Sequence, residues 1–303
     1  MSVIVLGSIN MDLVARTPRL PVPGETVPGT DFFTAPGGKG ANQAVACARL
    51  GVDTCMIGRV GDDVFGRTLR DELQAAGVDV TGVVTTPGPS GVAVIAVDAA
   101  AENTIIVVPG ANGKVGEEDL RRLEAVAPTA RVLLLQLEVP VEAVVAAARI
   151  ARAAGVTTIL DPAPAQPLPR EIYGLVDVIT PNESEVAALA GFPVRDDHDA
   201  ERAAQILLEL GVRRVIVKMG GRGAYVHDGT CGRLLPAFKV VPVDTVAAGD
   251  AFNGALAAAL SEGLPFDEAV RWGLAGGALS VTRQGAQQAM ACREALLQML
   301  GES

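Results

Sequence analysis

Positive charge is in short supply in this chain. Its 25 Lys and Arg stand against 35 Asp and Glu, a formal net charge of −10. A nucleic-acid surface needs a basic patch, and this balance argues against one. It leaves anionic small molecules open, because backbone amides and helix N-termini bind phosphate without basic side chains. Aromatic residues are only 3% of the 303 residues, so the core has to be built from Ala, Val, Leu and Ile. Cysteine is limited to Cys47, Cys55, Cys231 and Cys292, with no C-x-x-C pair and no signal peptide ahead of them. Zinc or disulfide use is therefore not expected, and a reduced cytosol is the expected setting. No apolar run reaches the length of a membrane span. The two histidines, His198 in "RDDHDAE" and His227 in "YVHDGT", both read as surface positions. Chemistry is left to carboxylates, Asn, Lys and the backbone.

Aliphatic residues, by contrast, are plentiful. The chain is 49% hydrophobic and 20% charged, which is globular and enough for one large domain with at most a small appendage. Short β-branched runs alternate with helical patterns. Strands are expected at Val3–Leu6, Asp53–Ile57, Val132–Gln136, Thr157–Leu160, Val176–Thr180 and Arg214–Lys218. Helices are expected at Ala41–Leu50, Gly66–Ala76 (stopped by Gly77), Val141–Ala154, Glu183–Ala190 and Asp199–Leu210. This order predicts an α/β fold, a doubly wound, mostly parallel sheet flanked by helices, with ligands beyond the carboxyl ends of its strands. Two stretches break the alternation. Val14–Pro36 is rich in turn signals, and Gly91–Pro109 reads as two strands, "GVAVIAVD" and "NTIIVVP", joined near Ala99–Glu102. They are expected to pair as a small sheet over about 12–36 and 91–109. That sheet is either a lid or dimer surface, or an edge extension of the main sheet. The apolar "GVAVIAVD" favours a face covered by a partner.

Two nucleotide motifs fail. "VIVLGSIN" lacks G-x-G-x-x-G, and "APGGKGAN" has Phe33 where a P-loop needs its first glycine and Gly40 where it needs Ser or Thr. Gly37 to Gly40 is a close-approach loop before a helix, or an ordinary glycine turn. "VDTVAAGDAFNGAL" is more informative. Ala247, Ala248 and Gly249 leave backbone N–H groups uncovered where a helix dipole adds positive potential, a site for developing negative charge. Asp250 could accept a proton there, or simply cap the helix; capping leaves Asp244 unexplained. In "ITPNESEVAAL", Asn182 and Glu185 fit ordinary capping, or a phosphate and a magnesium-bound water. "VKMGGRGAYV" is a hairpin turn or a backbone cradle for phosphates. Glu138, ending the buried run "LLLQLEVP", carries a charge that a core strand would not hold, so it should face the ligand crevice.

The ordered set "GSINMD", "PGETV", "PGGKGANQAVACARLG", "GDDVFG", "QLE", "PNESE", "KMGGRG" and "DTVAAGDAFNGAL" resembles the ribokinase branch of the ribokinase-like (PfkB) sugar kinases. It runs along nearly the whole chain, and "GGKGANQA" with "DTVAAGD" is highly specific. The resemblance implies one kinase domain over 1–303, a β-sheet lid that often serves as a dimer clasp, and ATP-dependent phosphorylation of the 5-hydroxyl of D-ribose. A related kinase for deoxyribose, another sugar or a nucleoside is the alternative, and a non-catalytic sugar-binding protein a more distant one. Carried over by position, Asn10, Asp12, Gly38, Lys39, Asn42 and Glu138 would hold the sugar. Asp250 would be the base, and Ala247, Ala248 and Gly249 the anion hole. ATP would lie along Asn182, Lys218, Met219, Gly220, Gly221, Arg222, Gly223 and Gly249, with Leu274 by the adenine and Glu185 near Mg2+. A monovalent cation, usually K+, would take the Asp244 side chain and the backbones of Val246, Ser280, Arg283 and Gly285. The chain departs from the family at Ala289, where the cation loop commonly has serine, at Lys218, where some members have Thr, and at Leu274, where a polar residue can flank adenine.

Overall fold

Fully buried aliphatic tetrads build the centre of the molecule. In the computed structural model, which describes residues 2–100 and 102–301, Val3–Leu6 pairs in parallel with Thr54–Gly61 on one side and Val132–Leu135 on the other. The sheet continues through Thr157–Leu160, Val178–Ile179 and Arg214–Lys218, all parallel, and ends in the antiparallel Ala224–His227 and Gly232–Leu235. Asp79–Thr86 closes the opposite edge, giving nine strands. Strands buried on both faces read as continuous apolar runs, and their alternate side chains feed two cores. Val3, Val5, Val132 and Leu134 face the helices Lys39–Arg49, Ala248–Ser261 and Phe266–Ser280. Ile4, Leu6, Leu133 and Leu135 face Val141–Ala154 and Asp197–Leu210. The expected doubly wound architecture is present.

The boundaries move for identifiable reasons. The helix expected at Gly66–Ala76 is Val64–Ala75, because the Asp63 carboxylate caps it by accepting from Gly66 N–H at 2.8 Å. Asp196 likewise starts the helix expected at Asp199–Leu210 two residues earlier, at Asp197. The helix expected from Ala41 starts at Lys39 and runs through Gly40. A Cβ on Gly40 would lie 2.7 Å from Ser8 N, so glycine lets helix and loop backbones touch. The strand expected at Val176–Thr180 shrinks to Val178–Ile179, and that at Asp53–Ile57 runs on to Gly61.

The two irregular stretches form a separate four-stranded sheet in the order Asp31–Gly37, Asn10–Arg16, Gly91–Val97, Asn103–Val108. Asn10 and Asp12, in a motif whose Asn and Asp have the look of loop residues, belong instead to this sheet. They lie on its strand, where Asn10 is opposite Gly37 and Gly91, and Asp12 opposite Ala35 and Ala93. The turn expected near Ala99–Glu102 includes Ala101, which lies outside the described residues. Every residue of Asn103–Val108 is exposed, Ile106 by 66%. Among the described residues no helix is long and apolar enough to cross a membrane.

Candidate active site

The helix Ala248–Ser261 does not begin as its sequence implies. Its N-cap is Ala247, held in the left-handed region at φ 57, the only non-glycine residue so placed among those described. That conformation costs about 1–2 kcal/mol for an L-residue. A left-handed residue at the head of a helical turn is the backbone arrangement from which anion nests are built, and Ala248 N–H here makes only a long contact to Thr245 O, at 3.4 Å. Asp250 is therefore the third residue of the helix and not its cap. The capping account of Asp250 is set aside, since no side chain caps this end.

Asp250 is buried, 5% exposed, and is held by two donors from the facing helix: Asn42 Nδ2 at 2.9 Å and Gln43 Nε2 at 3.1 Å. Burial pushes its carboxyl up from 3.8 to about 6; Lys39 opposes the rise and Asp161 adds to it. Glycines make this approach possible. A Cβ on Gly254, one turn along, would sit 2.4 Å from Ala46 Cβ and 3.0 Å from Gln43 O.

On one side of Asp250 lie the residues expected for the sugar. Glu138 Oε2 accepts from Ser8 Oγ at 2.6 Å, Lys39 N–H at 3.2 Å and Asn10 Nδ2 at 3.3 Å. Asn112 Nδ2 donates to Asn10 Oδ1 at 2.6 Å, and Asn112 Oδ1 accepts from Ile9 N–H at 2.9 Å, which fixes the Asn10 amide. Asp12 is pushed up to about 7, first by burial and then by Glu138 and Asp250. Lys39 is drawn down by burial, but Asp250, Asp161, Glu138 and Glu185 together hold its ammonium above the usual lysine range. Gly37 and Gly38 leave room: a Cβ on Gly37 would strike Asp12 Oδ2 at 2.4 Å, and Gly38 has φ 89 with its Cβ position 2.7 Å from Asn10 N. Among the described residues Asn42 Oδ1 is buried without a partner. Acceptor carboxylates, one unpaired amide oxygen and one ammonium gather here, a set of groups suited to a polyhydroxylated molecule, whose O–H groups donate.

On the other side Lys218 ends its strand. Its Nζ bonds Asp161 Oδ1 at 2.9 Å and lies 3.3 Å from where a Cβ on Gly249 would be, so it stands at the mouth of the nest. Gly220–Arg222 is a short helical turn in the hairpin between Arg214–Lys218 and Ala224–His227, so the hairpin reading of "KMGGRG" is correct for the backbone. Gly223 has φ 104, and a Cβ there would meet Leu235 O at 2.0 Å. The Met219 side chain is in the core, and Leu274 is 9% exposed within the same core as Phe252. Arg222 is tied to Glu183 at 2.5 Å and Asp197 at 2.9 Å.

Asn182 and Glu185 form a complete capping box. Asn182 Oδ1 accepts from Glu185 N–H at 2.8 Å, while Glu185 Oε2 accepts from Asn182 N–H at 2.7 Å and Oε1 from its Nδ2 at 2.9 Å. Burial raises the Glu185 carboxyl, and Lys218 works against that rise. Asp244 gathers two loops: Oδ1 accepts from Val246 N–H and Oδ2 from Gly285 N–H, each at 3.0 Å. Val281 O accepts from Val243 N–H at 2.7 Å in the same place, and Ser280 O from Arg283 N–H at 3.2 Å. Ala289 is fully buried.

Besides Ser8 and Asn112, three residues at the site have no role in the sequence reading above. Gln43, Gln136 and Asp161 are each no more than 1% exposed, and Gln136 Nε2 donates to Gln43 Oε1 at 2.7 Å. Asp161 carries the signal already used for Glu138, a carboxylate at the end of a buried apolar run, here directly after Thr157–Leu160.

The profile of the family described as pfkB family carbohydrate kinase matches residues 1–292. A ribokinase of Haemophilus influenzae is 42% identical over 297 residues, covering 98% of this chain and 97% of that protein. The structure of an Arabidopsis thaliana ribokinase complexed with ribose and ATP superposes with a TM-score of 0.92 at 33% identity, covering 100% of this chain and 99% of that one. A Thermotoga maritima ribokinase structure gives 0.91 at 39% identity, covering 99% of both chains.

Proposed function

From the premise that this chain belongs to the pfkB family of carbohydrate kinases, we propose that it transfers the γ-phosphoryl group of ATP to the 5-hydroxyl of D-ribose. The observation that carries this reading is the place of Asp250. It is a buried carboxylate in the first turn of a helix that opens on a left-handed alanine, with the Asn42 amide bonded to it and Lys218 against the neighbouring Gly249.

Asn10, Asp12, Gly38, Lys39, Asn42 and Glu138 hold the sugar, with Asp12, Glu138 and Asn42 Oδ1 accepting from its hydroxyls. Asp250 takes the proton of the attacking hydroxyl. With a value of about 6 it is roughly nine-tenths ionised at pH 7, poised as a base and not spent as a strong acid's anion. Asn182, the Lys218–Gly223 turn and Gly249 line the nucleotide, with Leu274 behind the base. The amides of Ala247, Ala248 and Gly249 face the charge that spreads over the transferring group, where positioning and neutralisation do most of the work.

Magnesium, when bound, supplies charge neutralisation on the phosphates. Glu185 fits as its holder through water, because each of its oxygens takes one hydrogen bond and keeps a lone pair. A monovalent cation would take the Asp244 carboxylate, which already joins the Val246 and Gly285 loops through their N–H groups, together with the carbonyls of Val246, Ser280, Arg283 and Gly285, all oxygen ligands of the kind hard cations take. Ala289 offers no side-chain oxygen there. The four-stranded sheet acts as a lid over the sugar, since it carries Asn10 and Asp12. Its bare outer strand, with Ile105, Ile106, Val107 and Val108 exposed, is covered by a second copy in a homodimer. Four free cysteines support a reduced, cytosolic setting for the activity.

The test is ADP release over a panel of pentoses, hexoses and nucleosides. D-Ribose should give the highest kcat/KM. Faster turnover of a hexose or nucleoside, or none of any sugar, overturns the assignment.

A further inference from the structure

We propose that Asp161 and Gln43 are positioning residues that join the phosphate-facing Lys218 and the base Asp250 into one charged chain; this rests on the kinase reading above. The side-chain amide of Gln43 has two hydrogens, and two carboxylates take them: Asp161 Oδ2 at 3.0 Å and Asp250 Oδ1 at 3.1 Å. Its orientation is fixed, because Gln136 Nε2 donates to Gln43 Oε1 at 2.7 Å. A flipped amide would set its oxygen against both carboxylates. Asp161 spends its other oxygen on Lys218 Nζ at 2.9 Å. The order is therefore ammonium, carboxylate, neutral amide, carboxylate, with Gln43, Gln136 and Asp161 almost wholly shut off from water.

Burying two like charges side by side is costly unless each is bonded. Here the amide separates them and Lys218 offsets one. Lys218 in turn stands against Gly249 in the nest. Whatever anchors Asp161 thus aims Lys218 at the phosphoryl side and, through Gln43, aims Asp250 at the hydroxyl side. In-line transfer needs both ends held at once.

Besides Asp161, the charged groups that face Asp250 are Lys39 on the opposing helix and Asp12 on the second sheet. The helix Phe266–Ser280, which also packs on it, has Asp267, Glu268 and Arg271 at its opposite end: a Cβ on Gly277, near its close, would lie 3.3 Å from Ala248 O. Asp161→Asn removes a negative charge near Asp250 and leaves the Lys218 charge unbalanced. Both effects favour the ionised base, so the acid limb of kcat/KM should move to lower pH.

The experiment uses the full-length protein with ATP and ribose. Asp161→Asn should cut kcat roughly tenfold or more while the Kd for ribose stays within about twofold, and the acid limb should move down by about half a unit. Lys218→Met added to Asp161→Asn should cost much less than the product of the two single effects, because one acts through the other. Wild-type turnover of ribose with an Asp161→Asn protein of equal kcat, an unmoved acid limb, or a fully multiplicative double variant overturns this inference alone. Absence of turnover in the wild type overturns the kinase reading instead. Gln43→Leu, which keeps the volume but removes the amide, should lower kcat by a similar factor with the Lys218–Asp161 pair intact. An unchanged kcat there also overturns the proposal.

Discussion

Replacing Asp250 by Asn should make the protein more stable and nearly inactive, and both effects can be sized from its surroundings. The carboxyl is raised from 3.8 to about 6, chiefly by burial. A raised carboxyl means that the folded chain holds its proton where the unfolded chain has lost it. Stability is thus complete below about pH 3.8 and falls as pH rises toward 6. At 1.36 kcal/mol per unit, the total loss is about 3 kcal/mol above that window. Asparagine carries none of this penalty. It does offer one oxygen where the carboxylate offered two, to Asn42 Nδ2 and Gln43 Nε2. One donor is left facing an NH2 group, at a cost of about 1 kcal/mol. The variant should therefore be about 1 kcal/mol less stable near pH 3.5 and about 2 kcal/mol more stable at pH 8. Urea titrations of both proteins at the two pH values measure the crossing. ADP release at pH 8 should fall by about 10²–10⁴-fold, the usual worth of a positioned base, with the Kd for ribose little changed. A stability difference that is the same at both pH values would refute the burial argument. Turnover near wild type would refute the role of Asp250.

Other outcomes follow from the same geometry. Ribose should exceed 2-deoxyribose in kcat/KM by at least about tenfold, because an absent hydroxyl leaves acceptors such as Asp12 or Asn42 Oδ1 unpaired; equal values would remove the hydroxyl-reading role of Asn10 and Asp12. Potassium should activate, and Ala289→Ser should lower the concentration needed for half activation, whereas undiminished activity in a potassium-free sodium buffer speaks against the cation site. Gly40→Ala should cost about 1–3 kcal/mol, since its Cβ would press on Ser8 N at 2.7 Å and Gly7 C at 2.8 Å; a melting temperature equal to wild type contradicts that packing.

Legibility differed between fold and site. The parallel sheet was readable because its strands are buried on both faces and so appear as unbroken apolar runs, "VIVL" and "VLLL" among them. The second sheet was readable only as an interruption of the βα rhythm. Its strand Asn10–Arg16 begins inside a motif whose Asn and Asp look like loop residues, and pairing with Gly37 and Gly91 is a long-range fact. Glu138 was found because a charge after a buried run is conspicuous. Asp161, directly after the strand Thr157–Leu160, bears the same mark. Gln43 and Gln136 carry no charge, and an amide in a helix or at a strand end has no local peculiarity. Their function lies in which partners they reach, over separations of 93 and 207 residues.

Local composition settled a good deal by itself. It determined a helix with small residues at its head and Asp250 in its first turn, glycines where backbones must touch, and an aliphatic α/β core. It left Asp250 open between base and cap. Only the tertiary structure excluded the cap, by placing Ala247 there and surrounding Asp250 with Asn42, Gln43 and Lys39. The reason is physical: backbone dihedrals and side-chain volume act over a few residues, whereas desolvation and charge depend on every element folded against a group, however distant in the chain.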